Sequence, residues 1–306
     1  MLRGRQAGVL ECAPPRGHGG SKGGSATMPV ITITGETGSD ADRIAHALAD
    51  RLGVRVIDRQ VLIDAVRRYD AVGARRGAPE LDERAPSLWE RLNEERRRYA
   101  VLVRAVVYSF ATQGDCVMLG YGGGILLRDI HHVVKVRTIA PRELRVQRLM
   151  TATPWRPAQP TREAAEEALR RGDRDRKQFI RYLFNIEWDD PAPYDLVLNT
   201  RTLTAESAAE LLAQLAARPE FQPTPESLAL LHDLALANQV EAVLLHDPDV
   251  WVENLRVSAR AGVVTLAGQV LAEEDRELAE SAARRVAGVQ VVRNEISIQP
   301  PPLAGM

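Results

Sequence analysis

The chain predicts an α/β fold built on a parallel sheet, followed by a smaller α+β module, and three observations carry this. Val30–Thr34 (VITIT), the glycine turn Gly35-Glu36-Thr37-Gly38-Ser39, a helical stretch and Val54–Ile57 form one strand–helix–strand unit. Such units build parallel sheets with right-handed crossovers. Strands then alternate with helices as far as Ala217, and a proline-rich break separates them from a shorter second pattern. A length of 306 residues suits two cores better than one.

Each element has a local reason. The run VITIT is short and β-branched, as a buried strand requires. Ile44, Ala45, Leu48, Ala49 and Leu52 recur at helical spacing and stop at Gly53. Arg59–Tyr69 continues as helix, Val72–Pro86 is polar and irregular, and Ser87–Gln113 is a long amphipathic helix. Cys116–Leu119 is a strand that runs into Gly120-Tyr121-Gly122-Gly123-Gly124. A strand over His132–Ile139, a helix from Pro141 to Met150 and a loop over Thr151–Pro160 come next. Thr161–Phe184 is a strongly charged helix, Leu196–Asn199 the last strand of the sheet, and Ala205–Ala217 the closing helix. Prolines make 218–226 a linker. Beyond it the pattern reads helix (Ser227–Leu245), strand (Trp251–Ala259), strand (Val263–Val270), helix (Glu273–Val286) and strand (Val289–Ile298). Ala261-Gly262 turns the hairpin, and the second helix should bury Leu278, Ala282 and Val286. The expected domains are 28–217 and 227–299, with a tail over 300–306.

Composition narrows the function. A net charge of −1 gives no global electrostatic case for nucleic acid or an anionic membrane. Arginine clusters such as Arg170-Arg171 read as solvated helix faces. Cys12 and Cys116 offer neither a disulfide framework nor a metal cluster, and His131-His132 reads as a surface turn without metal-ligand spacing. No apolar run approaches the roughly 18 residues of a membrane span, so an integral membrane protein is not expected. Residues 1–27 are rich in Gly, Arg and Ser and are expected to be disordered, with Met28 an alternative start. The expected location is the cytoplasm.

A glycine turn between a strand and a helix presents backbone N–H groups and a helix dipole to an anion. The full phosphate-loop pattern, laid on Gly35, puts Asp40 at the second glycine, Ala41 at the lysine and Asp42 at the hydroxyl. The turn alone therefore fits a phosphate cradle or a plain strand–helix connection. Three blocks add to it. They are Val30–Leu62 with Gly38-Ser39 and Ile57-Asp58-Arg59; Cys116–Arg145; and Asp173-x-x-Arg176-x-x-Phe179 followed by Trp188-Asp189-Asp190-Pro191-x-x-Tyr194-Asp195-Leu196. Together they resemble the cytidylate-kinase-like family over about Pro29–Ala217. The resemblance implies a three-layer nucleotide-kinase fold, ATP and Mg²⁺ as cofactors, and a nucleotide partner. It implies that Gly35, Thr37, Gly38, Ser39 and Arg43 hold ATP. Asp58, Arg59 and Tyr121 would face the acceptor, and Arg174, Arg176 and Arg181 would be lid arginines that stabilise the transferred phosphoryl group. Tyr121 stands where the family carries an arginine, and Asp40 and Ala41 stand where it carries glycines. A solvated Asp–Arg helix is the other reading of the lid residues, and helix capping the other reading of Asp58.

Ala237–Gln299 resembles the BON domain through Asp247-Pro248, Val263–Val270, Ala287-Gly288-Val289 and Val292–Ile296. The resemblance implies a binding module for a lipid, small molecule or protein. Leu255 and Val257, or their neighbours on the opposite face, form its candidate patch. Three functions remain open at this point: a nucleoside-monophosphate kinase, a non-catalytic nucleotide sensor, and a scaffold.

Overall fold

The computed structural model describes residues 30–73, 93–151 and 161–299. Expectations for 1–27, a start at Met28, irregular chain over 74–86, helix over 87–92, the loop 152–160 and the tail from Pro300 lie outside the described residues. Two compact units divide the chain near Leu228 and Ala229.

From the N-terminus the elements are β1 (Val30–Gly35), α1 (Ala41–Leu52), β2 (Arg55–Ile57), α2 (Arg59–Gly73), α3 (Asn93–Gln113), β3 (Cys116–Leu119), α4 (Gly123–Leu126), β4 (Val133–Ile139), α5 (Arg142–Thr151), α6 (Arg162–Phe184), β5 (Leu196–Asn199) and α7 (Ala205–Ala216). The five strands form one parallel sheet in the order β2-β3-β1-β4-β5. This is the α/β architecture the alternation predicts. The one-turn helix α4 inside the Gly-rich stretch has no periodic signal in sequence.

Layering follows from the strand period of two. Ile31 and Ile33 of β1 join Ile44, Ala45 and Leu48 of α1 and Ala208, Ala209 and Leu212 of α7 in one apolar cluster. Burying each Ile or Leu there contributes about 1.5–3 kcal/mol relative to exposure. Thr32 points the other way, where an added Cβ on Gly123 of α4 would lie 3.3 Å from its methyl. Helices thus cover both faces. The chain passes from β1 out to β2, returns to β3 and hops over β1 to β4. The loops after β1 and β3 therefore part at the carboxyl edge of the sheet, where ligands of open α/β sheets gather.

Strand β4 carries two buried cations, Lys135 and Arg137, at 4% and 5% exposure. A buried charge needs a partner. The Lys135 ammonium lies 3.3 Å from the Asp195 carboxylate and donates to the Ile130 carbonyl. Arg137 donates to the Trp188 carbonyl and to Asp189 (2.9 Å), and stacks 4.6 Å from the Trp188 ring centroid. The Trp-Asp-Asp-Pro and Tyr-Asp-Leu signatures are thus the counter-charges of β4.

His132 and His131 occupy a turn, but only His131 is exposed. His132 is 3% exposed, with Nδ1 2.7 Å from the Ser227 hydroxyl. Burial, then the nearby His131 and Lys135 charges, push its pKa down to about 4. Its unfolded value is near 6.5, so between those two values the unfolded chain binds more protons. Stability is then full above about pH 6.5 and falls as pH drops towards 4. A His132→Gln variant should show a shallower loss of Tm than the parent between pH 7 and pH 4.5. Equal slopes would remove His132 from that dependence.

The stretch 218–226 is more ordered than its prolines suggest. Pro219–Phe221 forms a 3-10 turn and Phe221 packs on the apolar cluster of the larger unit. Helix α8 starts at Pro225 and ends at His246.

In the smaller unit β6 (Glu253–Arg260), β7 (Val263–Val270), α9 (Glu273–Arg284) and β8 (Val291–Ile298) follow. The sheet order is β6-β7-β8, antiparallel then parallel. Ala261 and Gly262 both have positive φ, the hairpin geometry the sequence suggests. Leu278 departs from expectation, because it is exposed. The buried stripe of α9 is Ala279, Ala282 and Ala283, one residue further round, where alanines let the helix sit close to the strands. Leu255 and Val257 face that core, so the open side of β6 carries Arg256, Ser258 and Arg260. By length and composition one helical stretch among the described residues, Pro219–His246, would reach across a membrane. Its Val240 and Leu244 lie in the core of the smaller unit and Asp233 accepts the Ala261 N–H, which is weak ground for a membrane role.

Candidate functional site

A cleft of about 930 Å³ opens at the carboxyl edge of the parallel sheet. Its walls are the loop after β1, Asp58–Gln60 at the start of α2, the turn after β3, the end of α5 and one face of α6. Four carboxylates in its lining (Glu36, Asp40, Asp42, Asp58) face four guanidinium groups (Arg43, Arg59, Arg148, Arg176). The site is thus balanced rather than strongly basic.

Thr37 is the pivot of the loop. Its N–H donates to Asp173 (2.8 Å), its carbonyl accepts from Arg145 (3.3 Å) and its hydroxyl accepts from Arg176 (2.6 Å). Arg145 is 8% exposed and also pairs with Asp173 at 2.6 Å and Glu36 at 3.4 Å. Gly172, inside α6, is required by this contact, since a Cβ there would lie 2.4 Å from the Thr37 hydroxyl. A mid-helix glycine costs about 1 kcal/mol against alanine, and here it lets α6 rest directly on the loop.

Asp40 precedes α1 with φ 64 and gives α1 no side-chain cap. Its carboxylate instead meets Arg148 at 3.0 Å, and Arg148 also donates to the Gly38 and Thr200 carbonyls. The first N–H groups of α1 are therefore left without the capping bond that an aspartate usually supplies there.

The predicted site residues separate into groups. Thr37, Gly38, Arg43, Asp58, Arg59, Tyr121 and Arg176 come together in the cleft lining. Gly35 also lines it, but its lack of a side chain answers to packing, because a Cβ would lie 2.3 Å from the Thr138 hydroxyl. Ser39 lines the cleft as well, but it is fully buried with its hydroxyl turned to that of Thr138 at 2.7 Å. Asp58 accepts the Val61 N–H at 2.9 Å, a capping bond that leaves its second oxygen for the cleft. Tyr121 is buried at φ 54, with its ring edge-on to Phe179 at 5.7 Å. Arg174 and Arg181 stand on exposed faces beside Asp175 (3.7 Å) and Glu187 (3.4 Å), outside the lining.

Sequence reading missed Arg145, Arg148 and Gly172. Two arginines three residues apart, in the helix that follows a central strand, are the signal for the first pair. Among the described residues no group of three His, Cys, Asp or Glu side chains is arranged to hold a metal ion.

The chain is similar to several known proteins. A uronate isomerase of Corynebacterium glutamicum is 32% identical over 102 residues, which is 33% of this chain; the chain spans 19% of that relative's length. Among solved structures, an uncharacterized protein from Eubacterium ventriosum ATCC 27560 is 15% identical with a TM-score of 0.46, covering 62% of this chain and 99% of its own. A shikimate kinase from Acinetobacter baumannii is 19% identical with a TM-score of 0.36, covering 62% and 93%. Likenesses this distant carry no functional weight. The family models are more specific: the cytidylate kinase-like family matches residues 30–202 and the BON domain matches residues 232–300. The chain belongs to the cytidylate kinase-like family and carries a BON domain at its C-terminal end.

Proposed function

We propose that the larger unit binds ATP by its phosphates in this cleft and transfers the γ-phosphoryl group to a nucleoside monophosphate such as CMP, while the BON domain binds or localises the protein. The observation that carries this reading is the convergence of Asp173, Arg176 and Phe179, one face of α6, on the two loops at the carboxyl edge. Asp173 and Arg176 meet Thr37 of the first loop, and Phe179 meets Tyr121 of the second.

Phosphoryl transfer is mostly positioning and charge stabilisation. ATP, when bound with Mg²⁺, supplies the activated phosphoryl group. Arg176 stands where it neutralises charge on the transferred group, and Arg145 and Arg148 flank the loop from α5. Asp58 faces the acceptor side, where a carboxylate accepts the proton of an attacking hydroxyl. Asp42 and Asp58 are the carboxylates left in the lining as oxygen ligands for a hard cation.

A second reading, a non-catalytic nucleotide sensor, is favoured by the inward-turned Ser39 and by the pairing of Asp40 with Arg148. A coupled assay of ADP formation with ATP–Mg²⁺ and a panel of nucleoside monophosphates separates the two. Acceptor-dependent turnover supports the kinase. Binding of ATP without turnover on any acceptor supports the sensor.

A further inference from the structure

We infer that Thr37 N–H, Arg145 and Arg176 form a phosphate subsite, and that the Asp173 carboxylate is its resident occupant, which an incoming phosphate must displace. The inference rests on the nucleotide-binding reading above and adds to it an internal competitor.

The geometry of the carboxylate motivates it. One Asp173 oxygen takes the Thr37 N–H at 2.8 Å and the other takes the Arg145 guanidinium at 2.6 Å. A backbone N–H from a glycine loop together with a guanidinium is the donor set that holds phosphate oxygens. Asp173 thus fills the place of an anion with an anion of this chain. Arg176, one helical turn further along α6, reaches the same residue through the Thr37 hydroxyl, so a second cation stands at the subsite.

The occupant is held but not locked in. The Asp173 side chain keeps 18% of its surface exposed, whereas Arg145 keeps 10%. Arg145 also retains Glu36 at 3.4 Å if Asp173 departs, so the cation is not stranded. Departure of Asp173 requires either a turn of its side chain or a shift of α6 away from Thr37. The second route would also release the Arg176 bond to the Thr37 hydroxyl, since both α6 side chains hold Thr37. Charge sets the direction: a polyphosphate carries more negative charge than one carboxylate, and two guanidinium groups favour the more highly charged anion.

The test is a titration of the full chain with sodium tripolyphosphate, which has phosphates but no base, and in parallel with ATP–Mg²⁺. Asp173→Asn keeps the shape and removes the charge, and should bind tripolyphosphate about tenfold more tightly than the parent. Asp173→Glu keeps the charge and should bind no more tightly than the parent. Equal or weaker binding by a folded Asp173→Asn protein overturns the inference. If that same pair binds ATP–Mg²⁺ equally well, the nucleotide reading survives and only the occupancy falls. If neither protein binds tripolyphosphate or ATP–Mg²⁺, both fall together. Should Asp173→Asn fail to fold, hydrogen exchange on the parent decides: saturating tripolyphosphate should slow exchange in residues 35–41 and quicken it around 170–176. Unchanged exchange in α6 would count against displacement.

Discussion

Arg176→Ala is expected to lower ATP-dependent phosphoryl transfer by more than tenfold and to leave the fold intact. The guanidinium donates to the Thr37 hydroxyl at 2.6 Å and lies in the cleft wall, beside the loop proposed above to hold phosphates. Loss of one donor aimed at developing negative charge costs about 2.7–4 kcal/mol in oxyanion sites, which corresponds to a factor of about a hundred or more. One lost hydrogen bond at a partly buried site costs only about 0.5–1.5 kcal/mol of stability, so the variant should remain folded. Arg176→Lys should recover part of the rate, since it keeps the charge but loses the planar fork. Equal changes at Arg174→Ala would count against a special role for Arg176, because Arg174 is exposed and paired with Asp175. The coupled ADP assay, with circular dichroism on each variant, makes the comparison. Unchanged turnover in folded Arg176→Ala would return the residue to a structural role.

Asp195→Ala is expected to destabilise the larger unit by about 2–3 kcal/mol. Asp195 is the carboxylate 3.3 Å from the buried Lys135 ammonium, and it also accepts the Lys135 backbone N–H at 2.8 Å. Breaking a buried pair from one side leaves an uncompensated charge, and the usual cost is about 3–5 kcal/mol. Here 29% exposure of the Asp195 side chain lets water soften the loss. The carbonyls of Ile130 and Arg128, at 3.3 and 3.5 Å, still face the ammonium. In a unit of this size the change should lower Tm by about 5–10 °C. Asp195→Asn, which keeps an acceptor for the backbone N–H, should lose roughly half as much. A shift below about 1 °C in the thermal transition of the larger unit would mean that Lys135 needs no counter-charge.

Much of the fold was legible because its signals are local and periodic. VITIT announces a strand buried on both faces, and the Ile44–Leu52 spacing announces a helix that seats on it. The Ala261-Gly262 hairpin was equally readable, since both residues take the positive φ that its turn needs. The site was legible only in outline. The Asp173, Arg176 and Phe179 spacing marks one helix face, yet sequence cannot say that Gly172 brings that face onto Thr37. Nor can it show that Lys135 and Arg137 are buried, so Trp188, Asp189 and Asp195 read as a signature without a role. Asp189 and Asp195 are bound by the charge balance of β4, while Trp188 stacks on Arg137 and also lines the cleft. Leu278 was misplaced by one position on its helix, a rotation that apolar periodicity does not resolve when alanines make up the buried stripe. Asp40 is the sharpest case. In sequence it shows only as a departure from the family's glycine, whereas a left-handed backbone turns its carboxylate to Arg148.

Isothermal titration of the full chain with ATP–Mg²⁺, repeated with Arg176→Ala, tests the nucleotide-binding cleft most directly. Saturable binding at one site per chain, weakened at least fivefold by the substitution, is the result expected of phosphates held against α6 and the glycine loop. Absence of binding by the folded parent, or binding that ignores Arg176, would contradict it and leave the parallel-sheet unit as a scaffold for the BON domain.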